Sequence, residues 1–563
     1  MSSLEKRWQI AASITPEADK NLEAFPPLLR QLLFNRGYAT HQAATDFLNA
    51  AVPEGNDAFD MLGVQEAAER ISHAIDKGER IVIYGDYDTD GVTASVLMVQ
   101  TLKALGADVE AYIPNRFDEG YGLNKEALSR LKEENADLII TVDCGIRALE
   151  EAQHAKELGL QLIISDHHTP GPKLPWATAL INPKQADDTY PEKNLAGVGT
   201  AFKLASGVIK QRNADFDRGA LLDLVALGTV ADMVPLTGEN RAMVRHGLQR
   251  MRQPRRQGLQ ALMGIAGVEP KSVTAMHIGF MLGPRLNAAG RLDTALDALE
   301  LLLSDDVFVA GSLAQKLDNY NRERQKITRD MQSIAEEISG AEDPDKFLLF
   351  AAHKDFNPGV VGLTASRLVE QYYRPAIVAE QGEEFTRASC RSINEFNITE
   401  ALQECADLLD HFGGHAAAAG FTAKNENATA LIERLEALAK DQLETVDLRP
   451  VLHADKEVAL DELSFGLLDQ LEMLEPTGYA NPAPRFVSRN VQVQGSRAVG
   501  KESTHLKLTL TDGTISHDAI AFRQGHWVEH MPSHLDVLYA FERNDFRGKR
   551  QLQLNIQDLK ASE

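Results

Sequence analysis

The chain has 563 residues, which is too long for one hydrophobic core, so we expect three or four domains. Its composition, 44 % hydrophobic and 25 % charged, is that of a globular protein, and no run of about 18 apolar residues predicts a membrane span. The formal net charge of −24 offers no overall basic surface to nucleic acid, but binding depends on where the cations lie rather than on their total.

The cysteines and the first residues indicate the compartment. Cys144, Cys390 and Cys405 are widely separated and odd in number, which argues against a disulfide framework and against a zinc knuckle. The opening residues MSSLEKRWQI lack the charged and apolar regions of a secretion signal. We therefore expect a cytoplasmic protein.

Residues 1–55 predict short helices with an ordinary apolar stripe and no evident chemistry. The next element, RIVIYGD (80–86), is β-branched and predicts a buried strand. Asp86, Asp88 and Asp90 then stand at alternate positions. Because alternate side chains of an extended chain point the same way, this pattern predicts three carboxylates on one side of the strand end.

Two other interpretations of the three aspartates deserve weight. The pattern DxDxDG also opens an EF-hand calcium loop, which needs a preceding helix and a glutamate about eleven residues after its first aspartate. Here a strand precedes, and that later position is Leu97. The EF-hand is therefore excluded, whereas a solvated acidic turn without function stays open.

Further acidic and imidazole groups follow similar apolar runs. ADLIITVDCG (136–145) carries Asp143, LQLIISDHHTPG (160–171) ends in Asp166, His167 and His168, and the apolar, helical stretch LVALGTVADMVPL (224–236) carries Asp232. Helical patterns lie between the strands, so the sequence predicts a doubly wound parallel sheet. Since the carboxyl ends of such strands share one edge, we expect these groups to meet there.

Carboxylates this close together cannot all stay ionised without a counter-charge. Carboxylate oxygens combined with imidazole suit Mn²⁺ or Mg²⁺ better than metals that prefer thiolates. Several such ligands can hold two ions about 3.5–4 Å apart, the arrangement that serves phosphoryl transfer. The sequence therefore predicts a metal site with two ions.

The motifs DYDTDG, VDCG, DHH and ADMVP, in this order and spacing, resemble the four motifs of the DHH phosphoesterases. DHFGGHAAAAGFT (410–422) is similar to the glycine-histidine signature of the DHHA1 domain. The segments PNRFDEGYGL and GPRLNAAGR extend the resemblance, from about residue 50 onward, to the branch of bacterial 5′→3′ exonucleases specific for single-stranded DNA. The resemblance implies that these residues are catalytic: Asp88, Asp90, Asp143, His167, His168 and Asp232.

Within that set the resemblance assigns roles. The other five would be metal ligands, and Asp143 would bridge the two ions. His168 would lie beside the scissile phosphate, as ligand or hydrogen-bond donor. Some relatives carry a histidine ligand where this chain has Tyr84, so the first metal site is expected to be weaker or completed by water. Asp166 would either orient an imidazole through its second nitrogen or cap a following helix.

Phosphate oxygens need cations, and arginine is the usual planar donor. By resemblance, the substrate-binding residues are Arg116, Arg285, Ser389, Arg391 and His415. For each arginine the alternative is an ordinary surface charge, and for His415 it is a packed side chain in a tight turn.

The rest of the chain predicts the domain arrangement. Five segments after residue 451 read as short strands, and in QLQLNIQ the residues Leu552, Leu554 and Ile556 alternate with polar ones, which fits an OB-fold barrel that binds single strands. The expected parts are an N-terminal helical segment (1–55), a DHH domain with a doubly wound parallel sheet (56–302), a connecting helix (303–343), a smaller α/β DHHA1 domain (344–450) and the barrel (451–563).

The resemblance implies a metal-dependent exonuclease that digests single-stranded DNA from the 5′ end in recombination and repair. It also implies, as partners, a single-strand binding protein and a helicase that supplies unwound ends, with the chain itself a monomer. Two alternatives stay open: a DHH phosphoesterase acting on short oligonucleotides or cyclic dinucleotides, and an inactive scaffold that binds single strands.

Overall fold

The structure is a computed structural model that describes residues 4–116, 118–120, 122–546 and 549–562. It contains two compact units. The larger unit comprises Trp8–Pro284, Leu299–Gly311 and Leu452–Glu563, and the smaller unit comprises Met1–Arg7, Arg285–Ala298 and Ser312–Val451. None of the helices in the described part of the chain combines the length and apolar content that a membrane crossing requires.

The chain begins with the predicted short helices. The first elements are strand β1 (Arg7–Ile10) and helices α1 (Pro16–Asn21), α2 (Pro27–Asn35) and α3 (His41–Asn49). Thr15 and Thr40 cap α1 and α3 by accepting the N–H groups of Ala18 and Ala43.

A parallel five-stranded sheet forms the centre of the following region, as the alternation of strands and helices predicts. Its strands are β2 (Arg80–Gly85), β3 (Asp108–Tyr112), β4 (Leu138–Val142), β5 (Gln161–Ser165) and β6 (Ala179–Ile181), in the order β3-β2-β4-β5-β6. The helices around it are α4 (Val64–Lys77), α5 (Thr89–Ala104), α6 (Lys125–Glu133), α7 (Leu149–Glu157) and α8 (Gly197–Gln211). The three central strands confirm the predicted ones, whereas the outer strands β3 and β6 were not predicted.

Helices continue the chain after the sheet. They are α9 (Leu222–Ala231), α10 (Gly238–Met251), α11 (Gln257–Ala266), α12 (Ala275–His277), a π-helical turn (Ile278–Leu282), α13 (Gly283–Leu292), α14 (Leu296–Leu303) and α15 (Val307–Ser339). The last of these is the long helix that the sequence predicts between the two α/β parts.

The smaller unit contains a second sheet, in which β7 and β8 are parallel and the remaining pairs are antiparallel. Its elements are β7 (Leu349–His353), α16 (Val361–Tyr372), β8 (Ala376–Gln381), β9 (Phe385–Arg391), α17 (Ile398–Glu404), β10 (His411–His415), β11 (Ala418–Lys424) and α18 (Ala428–Leu443), with strand order β10-β11-β9-β8-β7. Buried Phe396, Phe421 and Leu435 share its core. The prediction of a smaller α/β domain is confirmed.

The C-terminal region is a closed β-barrel, as predicted. Its sheet contains β13 (Lys456–Glu457), β14 (Arg485–Val499), β15 (His505–Thr511), β16 (Ser516–Ala521), β17 (His534–Phe546) and β18 (Lys549–Ala561), with helix α19 (Phe465–Glu472) between β13 and β14. Before it, β12 (Val451–Ala454) pairs with β1 in a separate two-stranded sheet. Pairing of β14 with β17 closes the sheet. Leu554 and Ile556 point into the core, in agreement with the alternation in the sequence. Three strands are longer than the short segments predicted, with 13 to 15 residues each.

The N-terminal helices and the barrel share one hydrophobic core. Leu29 and Leu32 of α2 and Phe47 of α3 belong to the same buried cluster as Phe486 and Tyr539 of the barrel. The two ends of the chain therefore fold against each other.

Arg241 of helix α10 holds this assembly to the helices that follow the sheet. Arg241 is 1 % exposed, and its guanidinium donates to the carbonyl of Phe47 in α3 and to four consecutive carbonyls, 473–476, in the segment between α19 and β14. Burial, with a smaller contribution from Arg245, lowers the pKa of Arg241 to about 10. A buried cation thus replaces water as the partner of five backbone oxygens.

Candidate metal centre

Acidic and imidazole side chains converge at the carboxyl edge of the parallel sheet. Strands β2, β4 and β5 are neighbours, and their ends lead directly into Asp86, Asp143 and the pair His167–His168. Asp232 joins them from the C-terminal end of helix α9. The structure therefore brings together groups that the sequence spreads over about 150 positions, because parallel strands share one edge.

The local arrangement of the first three aspartates differs from the prediction. Strand β2 ends at Gly85, and Asp88 caps helix α5 by accepting the N–H groups of Asp90 and Gly91 at 2.8 and 3.1 Å. Asp90 already lies in the first helical turn. The prediction of an extended chain with alternating carboxylates is wrong: a helix start, favourable for negative charge, holds the second and third of them.

His167 lies at the centre of the cluster. Its Nε2 is 3.1 Å from Asp143 Oδ1, 3.6 Å from Asp232 Oδ2 and 3.9 Å from Asp90 Oδ2. Asp143 Oδ1 is also 3.9 Å from Nδ1 of His168. On the other side, Asp86, Asp88 and Asp143 offer oxygens that lie within 4.8 Å of one another. Asp143 thus belongs to both groups of donors.

Several of these donor atoms are buried without a hydrogen-bond partner among the described residues. They are Oδ1 of Asp86, Oδ1 of Asp143 and Nε2 of His167. Buried polar atoms are normally paired, so unpaired acceptors that face one another indicate a site for a cation. Oxygen and imidazole donors in this arrangement fit Mn²⁺ or Mg²⁺.

The protonation behaviour of the cluster leads to the same conclusion. Burial, followed by the charge of Asp88, raises the pKa of Asp90 to about 7, and burial together with Asp90 raises that of Asp232 to about 9. The pKa values of Asp86 and Asp143 are raised well above the ordinary value, first by burial. Without a cation, these carboxylates cannot all be ionised near neutral pH.

The pKa of His167 moves in the opposite direction. Burial, and then the charge of His168, lowers it to about 3. The imidazole is therefore neutral at pH 7, which is the form that binds a metal ion.

The N-terminus of helix α8 supports two of the carboxylates. Asp90 accepts the N–H groups of Gly197 and Val198 at 2.6 and 2.8 Å. A Cβ atom on Gly197 would lie 2.5 Å from Oδ1 and 2.6 Å from Cβ of Asp143, closer than atoms can approach. Sequence reasoning missed Gly197; its signal was a glycine at the start of a helical stretch, in LAGVGT.

Asp166 orients His168. Its Oδ1 lies 2.8 Å from Nδ1 of His168, and its carboxylate also accepts the backbone N–H groups of Ile146, His167 and His168. Burial opposes charge on both side chains, but their hydrogen bond raises the pKa of His168 and lowers that of Asp166. The segment after Asp166 is irregular as far as residue 178, so the helix-cap alternative is wrong.

Tyr84, at the position where some relatives have a histidine, belongs to the core. Its ring is fully buried and its hydroxyl donates to the carbonyl of Gly122 at 3.1 Å. The side chain of Tyr84 therefore packs in the core and does not serve as a metal ligand.

One predicted substrate-binding residue lies in the larger unit. The guanidinium of Arg116 is 5.2 Å from the ring centroid of Tyr87, a contact of the cation–π type. Tyr87 stands between Asp86 and Asp88, and the charge of Arg116 is among the smaller influences that lower the pKa of Asp86 against its burial, so this positive charge borders the acidic cluster.

The other predicted substrate-binding residues lie in the smaller unit. Ser389 and Arg391 alternate on β9, and a Cβ atom on Gly362 of helix α16 would lie 3.5 Å from Ser389 Oγ and 3.1 Å from Arg391 Nη2. Both side chains therefore face the first turn of this helix. His415 is exposed at the end of β10. Arg285 is engaged in an ion pair of 2.9 Å with Asp318.

Three family models match the chain. The DHH family, N-terminal domain, matches residues 80–229; the DHHA1 domain matches residues 345–441; and the RecJ OB domain matches residues 454–558.

Named relatives resemble the chain over most of its length. The single-stranded-DNA-specific exonuclease RecJ of Bacillus subtilis is 41 % identical over 100 % of this chain and 72 % of its own length. The Escherichia coli protein of the same name is 35 % identical over 95 % of this chain and 96 % of its own. The crystal structure of RecJ in complex with Mn²⁺ from Thermus thermophilus has a TM-score of 0.85 at 30 % identity, covering 99 % of this chain and 80 % of that one.

Proposed function

The chain belongs to the RecJ family of single-stranded-DNA-specific exonucleases, and from this premise we propose that it hydrolyses the phosphodiester bonds of single-stranded DNA from the 5′ end, with Mn²⁺ or Mg²⁺ as cofactor. The activity serves DNA repair and recombination. The acidic cluster at the sheet edge carries this proposal, because its buried, unpaired donor atoms are those that divalent cations require.

The proposed metal ligands are Asp88, Asp90, Asp143, His167 and Asp232. Bound divalent ions would stabilise the negative charge that develops on the reacting phosphate. The chain itself keeps His167 neutral by burial and fixes Asp90 on the N-terminus of helix α8.

His168 is proposed to donate a hydrogen bond to the scissile phosphate. Its side chain is 45 % exposed, so it reaches solvent and substrate, while Asp166 holds Nδ1 and supports the protonated form. Arg116 borders the cluster and is proposed to bind a backbone phosphate. In the smaller unit, Ser389, Arg391, His415 and Arg285 are proposed to bind further phosphates, including that of the 5′ end.

Replacing Asp143 by alanine tests the proposal. Asp143→Ala removes the donor shared by both groups, so Mn²⁺-dependent release of nucleotides from a 5′-phosphorylated single strand should disappear while the circular dichroism spectrum stays unchanged. Asp215→Asn, at an exposed carboxylate, is the control for charge. Release at the wild-type rate by the Asp143→Ala protein would refute the site.

The same assay separates the proposal from its alternatives. Preferential hydrolysis of a dinucleotide or cyclic dinucleotide would indicate a phosphoesterase for small substrates. Strand binding by the wild-type protein without metal-dependent hydrolysis would indicate a scaffold.

We also propose that the chain acts in the cytoplasm as a monomer, together with a single-strand binding protein and a helicase that supplies unwound ends. The three buried thiols suit a reducing compartment. Light scattering of the purified protein measures its mass, and co-purification with tagged chain from cell extract tests both partners.

A further inference from the structure

An exposed phenylalanine lies on a π-helical turn of the larger unit. The turn spans Ile278–Leu282, and the side chain of Phe280 is 79 % exposed. Turns of this type are rare and are frequently found at functional sites. An exposed phenyl ring on such a turn can serve as a contact surface if it lies beside a functional site.

The turn and the adjoining Gly283 pack against helix α9, which ends at Asp232, and against helix α5, which begins after Asp88. A Cβ atom on Gly279 would lie 3.9 Å from Val230, and one on Gly283 would lie 3.3 Å from Cβ of Ala231, the residue before Asp232. The carbonyl of Gly283 accepts the hydroxyl of Thr89 at 3.3 Å. Because Thr89 stands between Asp88 and Asp90, the turn borders the cluster on two sides.

Two more exposed apolar side chains lie close in the chain to the turn and to the cluster. Met276, one helical turn before Phe280, is 58 % exposed, and Met233, which directly follows Asp232, is 69 % exposed. Met233 has φ +60°, an uncommon conformation for a residue with a side chain, at the point where the chain leaves helix α9. We call Met233, Met276 and Phe280 the apolar ledge. Phenyl and thioether groups both pack favourably on flat aromatic rings.

We infer that the apolar ledge, and Phe280 above all, binds the unpaired bases of the strand that is being cleaved. The inference rests on the proposed function. A nucleotide whose phosphate lies at the acidic cluster carries its base within reach of neighbouring surfaces, and the face of an unpaired base is apolar. Stacking on a phenyl ring accepts any base, as a nuclease without sequence preference requires.

The ledge would also favour single strands over duplex. In a duplex, each base already stacks on its neighbours and is paired with the opposite strand. Only an unpaired base can turn its face towards Phe280. The contact that binds the substrate would therefore also select single-stranded DNA over duplex DNA.

Base-dependent binding is the direct test. Binding of a 3′-labelled oligothymidylate is measured by fluorescence anisotropy in EDTA, so that no cleavage occurs, and is compared with binding of the same strand carrying abasic residues at its first positions. Phe280→Ala should weaken binding of the complete strand about 10-fold, the usual loss for a stacked base, and leave binding of the abasic strand within about twofold. Phe280→Trp should retain tight binding of the complete strand.

Phe308→Ala is the matched control. Phe308 is 88 % exposed in the same unit but lies outside the ledge, so its removal should leave both affinities unchanged. Equal affinity of wild-type and Phe280→Ala protein for the complete strand would overturn the inference. An equal loss on both strands would overturn it too, because the effect would then not involve bases.

Kinetics separate this inference from the proposed function. With Mn²⁺, Phe280→Ala should raise KM on single-stranded DNA and change kcat little. Unchanged KM with active enzyme would refute the ledge and leave the nuclease intact. Loss of base-dependent binding in the Phe280→Ala protein, together with a wild-type protein that releases no nucleotides, would support the ledge and refute the nuclease.

Discussion

The substitution Asp232→Asn tests how much the crowded carboxylates of the acidic cluster destabilise the metal-free protein, separately from their role in nucleotide release. Burial, followed by the charges of Asp90 and Asp88, raises the pKa of Asp232 from 3.8 to about 9. In the unfolded chain the group ionises near its ordinary value. Between these two pH values the folded chain retains a proton that the unfolded chain releases, so the free energy of unfolding falls as pH rises through this window.

The size of the effect follows from the shift. A pH of 7 lies about three units above the ordinary pKa of an aspartate, and each unit corresponds to about 1.36 kcal/mol. Keeping Asp232 protonated therefore lowers the free energy of unfolding of the metal-free protein by about 4 kcal/mol at most. Asparagine cannot ionise and avoids this cost. Since the side chain is 23 % exposed, water recovers part of it, and we expect Asp232→Asn to stabilise the metal-free protein by about 2–4 kcal/mol at pH 7 and by about zero at pH 4.

Thermal unfolding in EDTA at several pH values measures this difference. The variant should melt several degrees above wild type at pH 7, and the gap should close towards pH 4. Mn²⁺ should raise the melting temperature of wild type more than that of the variant, and nucleotide release by the variant should be lost. Asp215→Asn should change none of these quantities. A lower melting temperature than wild type at pH 7 in EDTA, or a gap independent of pH, would refute the reasoning.

Two further substitutions test the supports of the site and of the fold. Gly197→Ala should displace Asp143 and lower nucleotide release about 10-fold or more. Gly264→Ala should not lower it, because among the described residues only its chain neighbours and its own helix backbone come within 4 Å of the new methyl group, and equal rates for both variants would contradict the contact. Arg241→Met should remove five hydrogen bonds, of which those to the carbonyls of Met473 and Glu475 have no replacement donor among the described residues, and should lower the free energy of unfolding by about 3–5 kcal/mol. Exposed Arg252→Met should cost little, and a stable Arg241→Met protein in urea unfolding would contradict this role.

The central strands were predictable because their residues are β-branched and apolar throughout, as in RIVIY and LIITV. The positions of Asp143 and of His167 directly after such runs, combined with the parallel topology, were sufficient to predict their meeting. The outer strands β3 and β6 escaped prediction because DVEAY is of mixed polarity and ALI is only three residues long.

Three other features of the structure could be predicted only weakly, or not at all, from the residues around them in the sequence. The helix cap at Asp88 was readable in DTDG, since aspartate before a helix is a preferred cap, but the alternating pattern favoured a strand. The contact of Gly197 with Asp143 depends on a distance between residues that are far apart in the chain. The common core of Leu29 and Tyr539 joins elements about 500 residues apart, and each element alone reads as an ordinary amphipathic segment.

That shared core affects how the protein is made. A ribosome adds about 5–20 residues each second, so the apolar faces of α2 and α3 emerge about 25–100 s before the last barrel strand that covers them. During synthesis Leu29, Leu32 and Phe47 stay open to chaperones or to wrong partners. A stalled or truncated translation product would keep this surface uncovered, and proteolysis would be directed to it.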